Sequence, residues 1–339
     1  MVNESRPPTC IVNCHDGGFR ASPIAQNAAR SVATMSIGEA QFTLEQIREF
    51  ADKASTVGQY IAHFALNAAN HSPHYREPGV ESMDAIDLEI GDADDVEGPL
   101  LTAHRLAKFY VISAGDALLS CCELVGRDFP MHVGSAALAR TTAEHASRAM
   151  YVGDPEIGWK IRVLRTHALF YAAMQEYRSS SELAALGLLE GWKKWRSRTG
   201  SMFSEVPKQS ANNNRKLIED AFPHALAYDE LSRPTHGNAV WLTLAVIQEQ
   251  KRTNYTWCAT LRNMQFAMDT TIAAAHRLCL LWGVDPSEVF EASKTRLGVD
   301  DARCTWQWLL TACDEVRAGV DELSNAVVID STPDPQPSR

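Results

Sequence analysis

The chain has 339 residues, 45% of them hydrophobic and 22% charged, the make-up of a globular protein with a real core. Its formal net charge of −10 argues against generic coating of nucleic acid, where a positive face supplies the affinity. No uninterrupted apolar run reaches the ~18 residues of a membrane span, and the start (MVNESRPPTC) lacks the basic region and apolar core of a secretory signal.

Residues 1–40 show little periodicity and carry Pro7-Pro8 and Gly17-Gly18, so a flexible N-terminal arm is expected, with Met35 an alternative start to Met1. The first helix opens at Thr43, where Gln46 three residues on completes a capping box. Ile47, Phe50, Ala54, Val57, Ile61, Phe64 and Ala68 then recur at 3–4 spacing, so one stripe faces a partner. From Glu81 to Glu97 there are eight acids and no base, which reads as a solvated linker. A second stripe follows with Ala107, Val111, Ala114, Leu118, Cys121 and Val125.

Helices are expected next over about 132–151 and 155–177, split by Gly153-Asp154-Pro155, and over about 181–197. A basic stretch then holds Lys193, Lys194, Arg196, Arg198, Lys208 and Arg215 against Glu205, with a subdivision of the bundle expected at 198–210. Helices over about 211–232 and 238–250 flank the Pro234–Gly237 break. Two long helices close the chain, one using Trp257, Leu261, Met264, Met268, Ile272, Ala275, Cys279 and Trp282. The other uses Ala302, Trp306, Leu309, Cys313, Val316, Val320, Leu323 and Val327, with Gly283 and Pro286 marking the connection between them. The fold class is therefore all-α, a multi-helix antiparallel bundle over 41–328 with a disordered tail at 329–339.

The eight cysteines include Cys121-Cys122 inside a helical stripe and read as reduced thiols in a cytoplasmic protein. Phosphate-loop, dinucleotide and nucleophile-elbow motifs are missing, as are H-E-x-x-H and E-x-x-H. Cys10, Cys14 and His15 could supply half a zinc site but have no second pair at suitable spacing, and His71/His74 sit in a polar turn. No metal or other cofactor is expected.

Three constellations remain. Arg140, Glu144 and Arg148 recur at i, i+4, i+8 and stack along one helical face. Arg162 and His167 make an R-x-x-x-x-H pattern, but at ~100° per residue they point ~140° apart on a regular helix. In "YDELSRPTHGN" Tyr228 and Ser232 share a face, Pro234 disfavours helix at Arg233, and His236 can cap, pair with Glu144 or transfer protons near neutral pH.

The R-x-x-x-x-H pattern on a helix of a small bundle resembles HEPN-type domains. That resemblance implies ribonuclease activity of the toxin–antitoxin or phage-defence kind. A looser resemblance joins "ALARTTAEHASRAMYVGDPE" to "YDELSRPTHGNAVW" and is to bacterial helical proteins that pair an R-x-x-x-E helix with a distant Y-x-x-LS-x-x-x-H element. Arg140, Glu144, Tyr228, Ser232 and His236 fall on the matching positions.

On the ribonuclease reading His236 or His167 moves protons while Arg140, Arg162 or Arg165 holds a phosphate. RNA would be gripped by Lys193, Lys194, Arg196 and Arg198, with Trp192 and Trp195 stacking on bases. The other readings are a non-catalytic helical interaction protein, homodimeric through a heptad-patterned helix or holding another protein partner, and a small-molecule-binding bundle.

Overall fold

The computed structural model describes residues 41–328 apart from 72–76, 81, 92–95, 126, 128, 175–176, 178–181, 212, 223–226, 252–253, 298–300 and 326. The expected N-terminal arm with Cys10, Cys14 and His15, the C-terminal tail and His74 lie outside the described residues.

Twelve helices are seen among the described residues. They are α1 (Leu44–Asn70), α2 (Met83–Ile90), α3 (Pro99–Val125), α4 (His132–Val152), α5 (Trp159–Met174), α6 (Leu183–Arg198), α7 (Asn214–Ala221), α8 (Ala227–Thr235), α9 (Ala239–Gln250), α10 (Tyr255–Trp282), α11 (Pro286–Leu297) and α12 (Trp306–Asn325). A two-residue parallel pairing joins β1 (Gln41–Phe42) to β2 (Val327–Val328). The all-α class stands.

Local chemistry sets the boundaries. Thr43 and Gln46 form the reciprocal capping box at the start of α1. The α3 N-terminus is capped from another helix, because the Asp87 carboxylate accepts the Leu100 and Leu101 amides at 2.7 and 2.9 Å. Asp87 belongs to α2, so the acidic run expected to be linker contains a helix that buries Met83 and Ile90. The single helix expected over 211–232 is two, α7 and α8.

The core is built from α1, α3, α4 and α10, with α12 alongside. α1 and α3 run antiparallel: the Ser55 hydroxyl donates to the Cys122 carbonyl at 3.1 Å, and Gly115 faces Ala62 and Ala65 further along. A Cβ at Gly58 would stand 2.5 Å from the Cys122 sulfur, so the missing side chain sets how closely these two helices approach. α4 and α10 run parallel, tied by Asn263 to Ser135 at 2.9 Å and by Arg277 to Asp154 at 2.6 Å. α12 returns antiparallel to α10, with Arg262 donating to Ser324 and the Cys258 thiol near the Leu323 carbonyl. Ile47, Ile61, Phe64, Leu261, Met264, Leu309 and Val316 are all buried in this one cluster. Most positions of the heptad-patterned stripes thus pack inside the chain, with Phe50, Ile272 and Trp306 partly buried at its edge.

A smaller apolar cluster holds Met83, Ile90, Val96, Leu100, Val163, Leu164, Trp192, Trp195 and Phe203. It corrects the reading of Trp192 and Trp195 as stacking platforms. Both rings are buried, packed edge to face with centroids 5.3 Å apart, and the Trp195 indole N–H donates to the Ile90 carbonyl at 2.6 Å. The i, i+3 spacing of the two tryptophans puts them on the inward face of α6, while Lys193 and Lys194 between them point outward.

Candidate functional site

α8 ends where the chain reverses toward α9, and the ending is a Schellman motif. The Gly237 amide donates to Pro234 O at 3.1 Å and the Asn238 amide to Arg233 O at 3.0 Å, with Gly237 at φ 64°. Pro234 therefore lies inside the helix rather than breaking it, and the turn falls on His236 and Gly237. Asn238 then caps α9 by accepting the Trp241 amide at 3.0 Å. His236 is the C-cap residue by backbone, but its side chain does not serve the helix.

It reaches α4 instead. Arg140 uses all three guanidinium nitrogens: Nε donates to Glu144 Oε1 at 2.9 Å, one Nη meets His236 Nε2 at 2.8 Å, and the other donates to Tyr228 Oη at 2.8 Å. The guanidinium carbon also sits 4.9 Å from the centre of the Tyr228 ring. An arginine can only donate, so Nε2 of His236 accepts, and a neutral ring then carries its proton on Nδ1. Arg140 and Glu144 are each about one-fifth exposed and His236 is open to water, so the cluster lies at the surface with one buried side. A guanidinium, an imidazole and a phenol converge there, all able to donate to an anion, with one carboxylate holding the guanidinium in place.

The other expected site residues lie elsewhere. Ser232 shares the face of Tyr228, yet its hydroxyl donates to the Tyr228 carbonyl at 2.6 Å. Arg148 donates to Asn214 Oδ1 at 2.8 Å and lies over the Tyr110 ring. Arg165 covers the Tyr151 ring, donates to the Tyr151 carbonyl at 2.7 Å and faces Asp154. Tyr151 is eleven residues beyond Arg140 on the same helix, roughly 16 Å away at 1.5 Å per residue. His167 packs against Tyr171 and Trp192 beside the smaller cluster. Of the basic stretch, Lys193 pairs with Glu190 at 3.0 Å, Arg196 lies over Phe203, and Lys194 and Arg198 are exposed.

A second polar constellation was not legible in the sequence. Glu77, His104 and Arg162 are fully buried together. Arg162 donates to the two Glu77 oxygens at 2.9 and 3.2 Å, and also to the carbonyls of Val152 and Ile157. His104 Nε2 meets Glu77 Oε2 at 2.8 Å, and the Trp282 indole N–H donates to His104 Nδ1 at 3.0 Å. Since the indole only donates, Nδ1 accepts and Nε2 carries the proton given to Glu77. This cluster is closed to solvent and joins a loop to α3, α5 and α10, so its role is to lock the fold.

Burial lowers the His104 pKa below its ordinary 6.5 in spite of Glu77. Burial also lowers His132, His145, His167 and His276. Burial pushes Glu77 up, but His104 and Arg162 outweigh it and hold the carboxyl below its ordinary 4.5. The sign follows. Below about pH 6.5 the unfolded histidines take up protons that the folded ones refuse, so stability falls with pH, and Glu77 adds a further loss below its unfolded value. The urea midpoint is expected to drop measurably between about pH 7.5 and 5.5. A flat midpoint over that range would mean these histidines are solvated in the folded chain.

No family model matches the chain, nor does any curated protein or solved structure.

Proposed function

We propose that the Arg140–Glu144–Tyr228–His236 cluster is the working site of a ribonuclease, in place of the Arg162/His167 pattern that carries the HEPN resemblance. One observation carries the reading: Arg140 and His236, 96 residues apart, are held 2.8 Å from each other on an accessible surface. Arg140 neutralises the phosphate as its charge grows, and Glu144 fixes the guanidinium. His236 moves the proton. In RNA the 2′-oxygen attacks phosphorus and loses its proton, the P–O5′ bond breaks, and the 5′-oxygen leaves with a proton. The products are a 2′,3′-cyclic phosphate and a 5′-hydroxyl. The pair that serves is Arg140 with His236, not Arg162 with His167, because Arg162 is fully buried on Glu77. Incubation of single-stranded RNA with the wild-type chain and with His236→Ala tests it. Cleavage by the wild type and its loss in the variant support the reading; RNA left intact by the wild type overturns it.

A specific observation favours a second reading, a helical interaction protein. The tryptophans that would grip bases are core residues, and the apolar surface lies elsewhere, on α9.

A further inference from the structure

Three guanidiniums lie in a row along α4, each laid on a tyrosine ring. Arg140 sits 4.9 Å from the centre of Tyr228, Arg148 5.8 Å from that of Tyr110, and Arg165 4.5 Å from that of Tyr151. On α4 itself Arg140, Arg148 and Tyr151 fall within about 80° of one another at ~100° per residue. From Arg140 to Tyr151 the row is roughly 16 Å long. Its far end is doubled. Arg277 of α10 donates Nη2 to Asp154 Oδ1 at 2.6 Å, and Arg165 Nη1 faces the other oxygen at 3.9 Å, so two guanidiniums share one carboxylate. Arg165 gives Nε to Gln209 and Nη1 to the Tyr151 carbonyl, which leaves Nη2 for a further acceptor. Arg277 Nε is buried with no acceptor at all. Burial holds Arg165 below the ordinary arginine range, and the charges of Arg162 and Arg277 add to the effect against Tyr151 and Asp154. An anion at this end would offset that repulsion. Arg140 and Arg165 are each about one-fifth exposed and Arg277 about one-third, so both ends are open to a ligand.

We propose that this row is the path of the substrate: a single-stranded RNA lies along α4, with the phosphate to be cleaved on Arg140 and a second phosphate on Arg165 and Arg277. The assignment rests on the ribonuclease reading of the Arg140 site. Charge favours it. The four arginines face two carboxylates, Glu144 and Asp154, and the neighbouring Glu219, Asp220 and Asp229 are engaged by Arg215 and Lys216. Cations therefore outnumber carboxylates here, on a chain whose net charge is −10. Guanidiniums held flat on rings present their donors in a fixed fork, the geometry that suits phosphate oxygens. A stacked strand rises ~3.4 Å per nucleotide and an extended one more, so 16 Å sets the second phosphate about three to five nucleotides from the first. In-line attack by the 2′-oxygen needs a backbone free to leave helical geometry, which selects a single strand. The tyrosine rings of the row are covered by arginines, so the grip falls on the backbone and little sequence preference is expected.

Fluorescence anisotropy with labelled 2′-O-methyl strands, which have no attacking hydroxyl, measures binding apart from cleavage. An octanucleotide is expected to bind at least ~10-fold more tightly than a trinucleotide, because only the longer strand reaches both ends. Arg277→Gln is expected to weaken the octanucleotide ~10-fold and to lower the slope of log K against log salt by about 0.7, one phosphate contact on a single strand. Asp154→Asn removes the carboxylate that competes for Arg165 and Arg277, and is expected to tighten the octanucleotide about threefold. A misfolded chain cannot produce that gain. Equal affinity for the two lengths overturns the row, and so does octanucleotide binding that neither variant changes. RNA cleaved by the wild type without dependence on strand length or on Arg277 keeps the ribonuclease and removes the row. An octanucleotide bound as expected, with the matching RNA left intact, keeps the row as a binding path and removes the cleavage alone.

Discussion

Replacing Arg162 by methionine is expected to destabilise the folded chain by about 3–5 kcal/mol, the cost of leaving one member of a buried ion pair uncompensated. Methionine keeps the unbranched stem, so little packing is lost and the effect isolates the guanidinium. Its removal strips four hydrogen bonds: two to Glu77, one to the Val152 carbonyl that ends α4, and one to the Ile157 carbonyl in the following turn. Glu77 would keep only His104 as a polar side-chain partner in the cluster, and the desolvation that already pushes its carboxyl upward would meet less opposition. Glu77→Gln leaves the guanidinium without its anion and is expected to cost a similar amount. The double replacement is the informative one. With no full charge left on Glu77 or Arg162, it is expected to cost clearly less than the two single changes combined, because much of each penalty is one stranded charge. Urea unfolding followed by circular dichroism reads all three. Single replacements costing under about 1 kcal/mol would show that water reaches the cluster.

Helix positions were legible because period and caps are local. The 3–4 stripe behind Thr43 and Gln46, and the glycines that close α8 and α10, depend on residues within a few positions of one another. At Gly283 the same pair of bonds recurs, from Gly283 to Leu280 and from Val284 to Cys279. The Arg140–Glu144 pair was legible for the same reason, as was the face shared by Tyr228 and Ser232, with His236 in the turn just beyond it. The meeting of Tyr228 and His236 with Arg140, across as many as 96 residues, is a matter of tertiary packing, which local spacing leaves open. Glu77, His104 and Arg162 gave less to read. They lie in a turn, in an alanine-rich helix and on a helix with two other basic residues nearby, and only packing brings them together. Arg162 shares a helical face with Thr166 and Leu169, at i+4 and i+7, and all three are buried, so a charge on that face required a buried partner. The basic aromatic stretch failed for the opposite reason. Composition drew attention to GWKKWRSR as one surface, whereas helical geometry divides it into an inward Trp192/Trp195 edge and an outward lysine face.

The expected loss on His236→Ala is ~10²-fold or more in the rate of RNA cleavage, the usual worth of a positioned proton-transfer group. The same change is expected to move stability by less than about 0.5 kcal/mol, because the ring is exposed and its helix end is held by backbone bonds. Arg140→Lys separates positioning from charge. Lysine keeps the cation, but a single ammonium cannot hold Glu144, Tyr228 and His236 in one plane as the forked guanidinium does. A lysine variant that loses ~10–100-fold in rate, with RNA binding little changed, assigns Arg140 to orienting His236 as well as to holding phosphate. Equal loss of binding and rate would assign it to phosphate alone. Tyr228→Phe removes only the hydroxyl and leaves the ring beneath the guanidinium, so its effect is expected to be the smallest of the three, at about tenfold. If all three variants cleave RNA as fast as the wild type, the cleavage comes from another site or another protein. The cluster would then be a clasp between α4 and α8, and the function would be sought at α9.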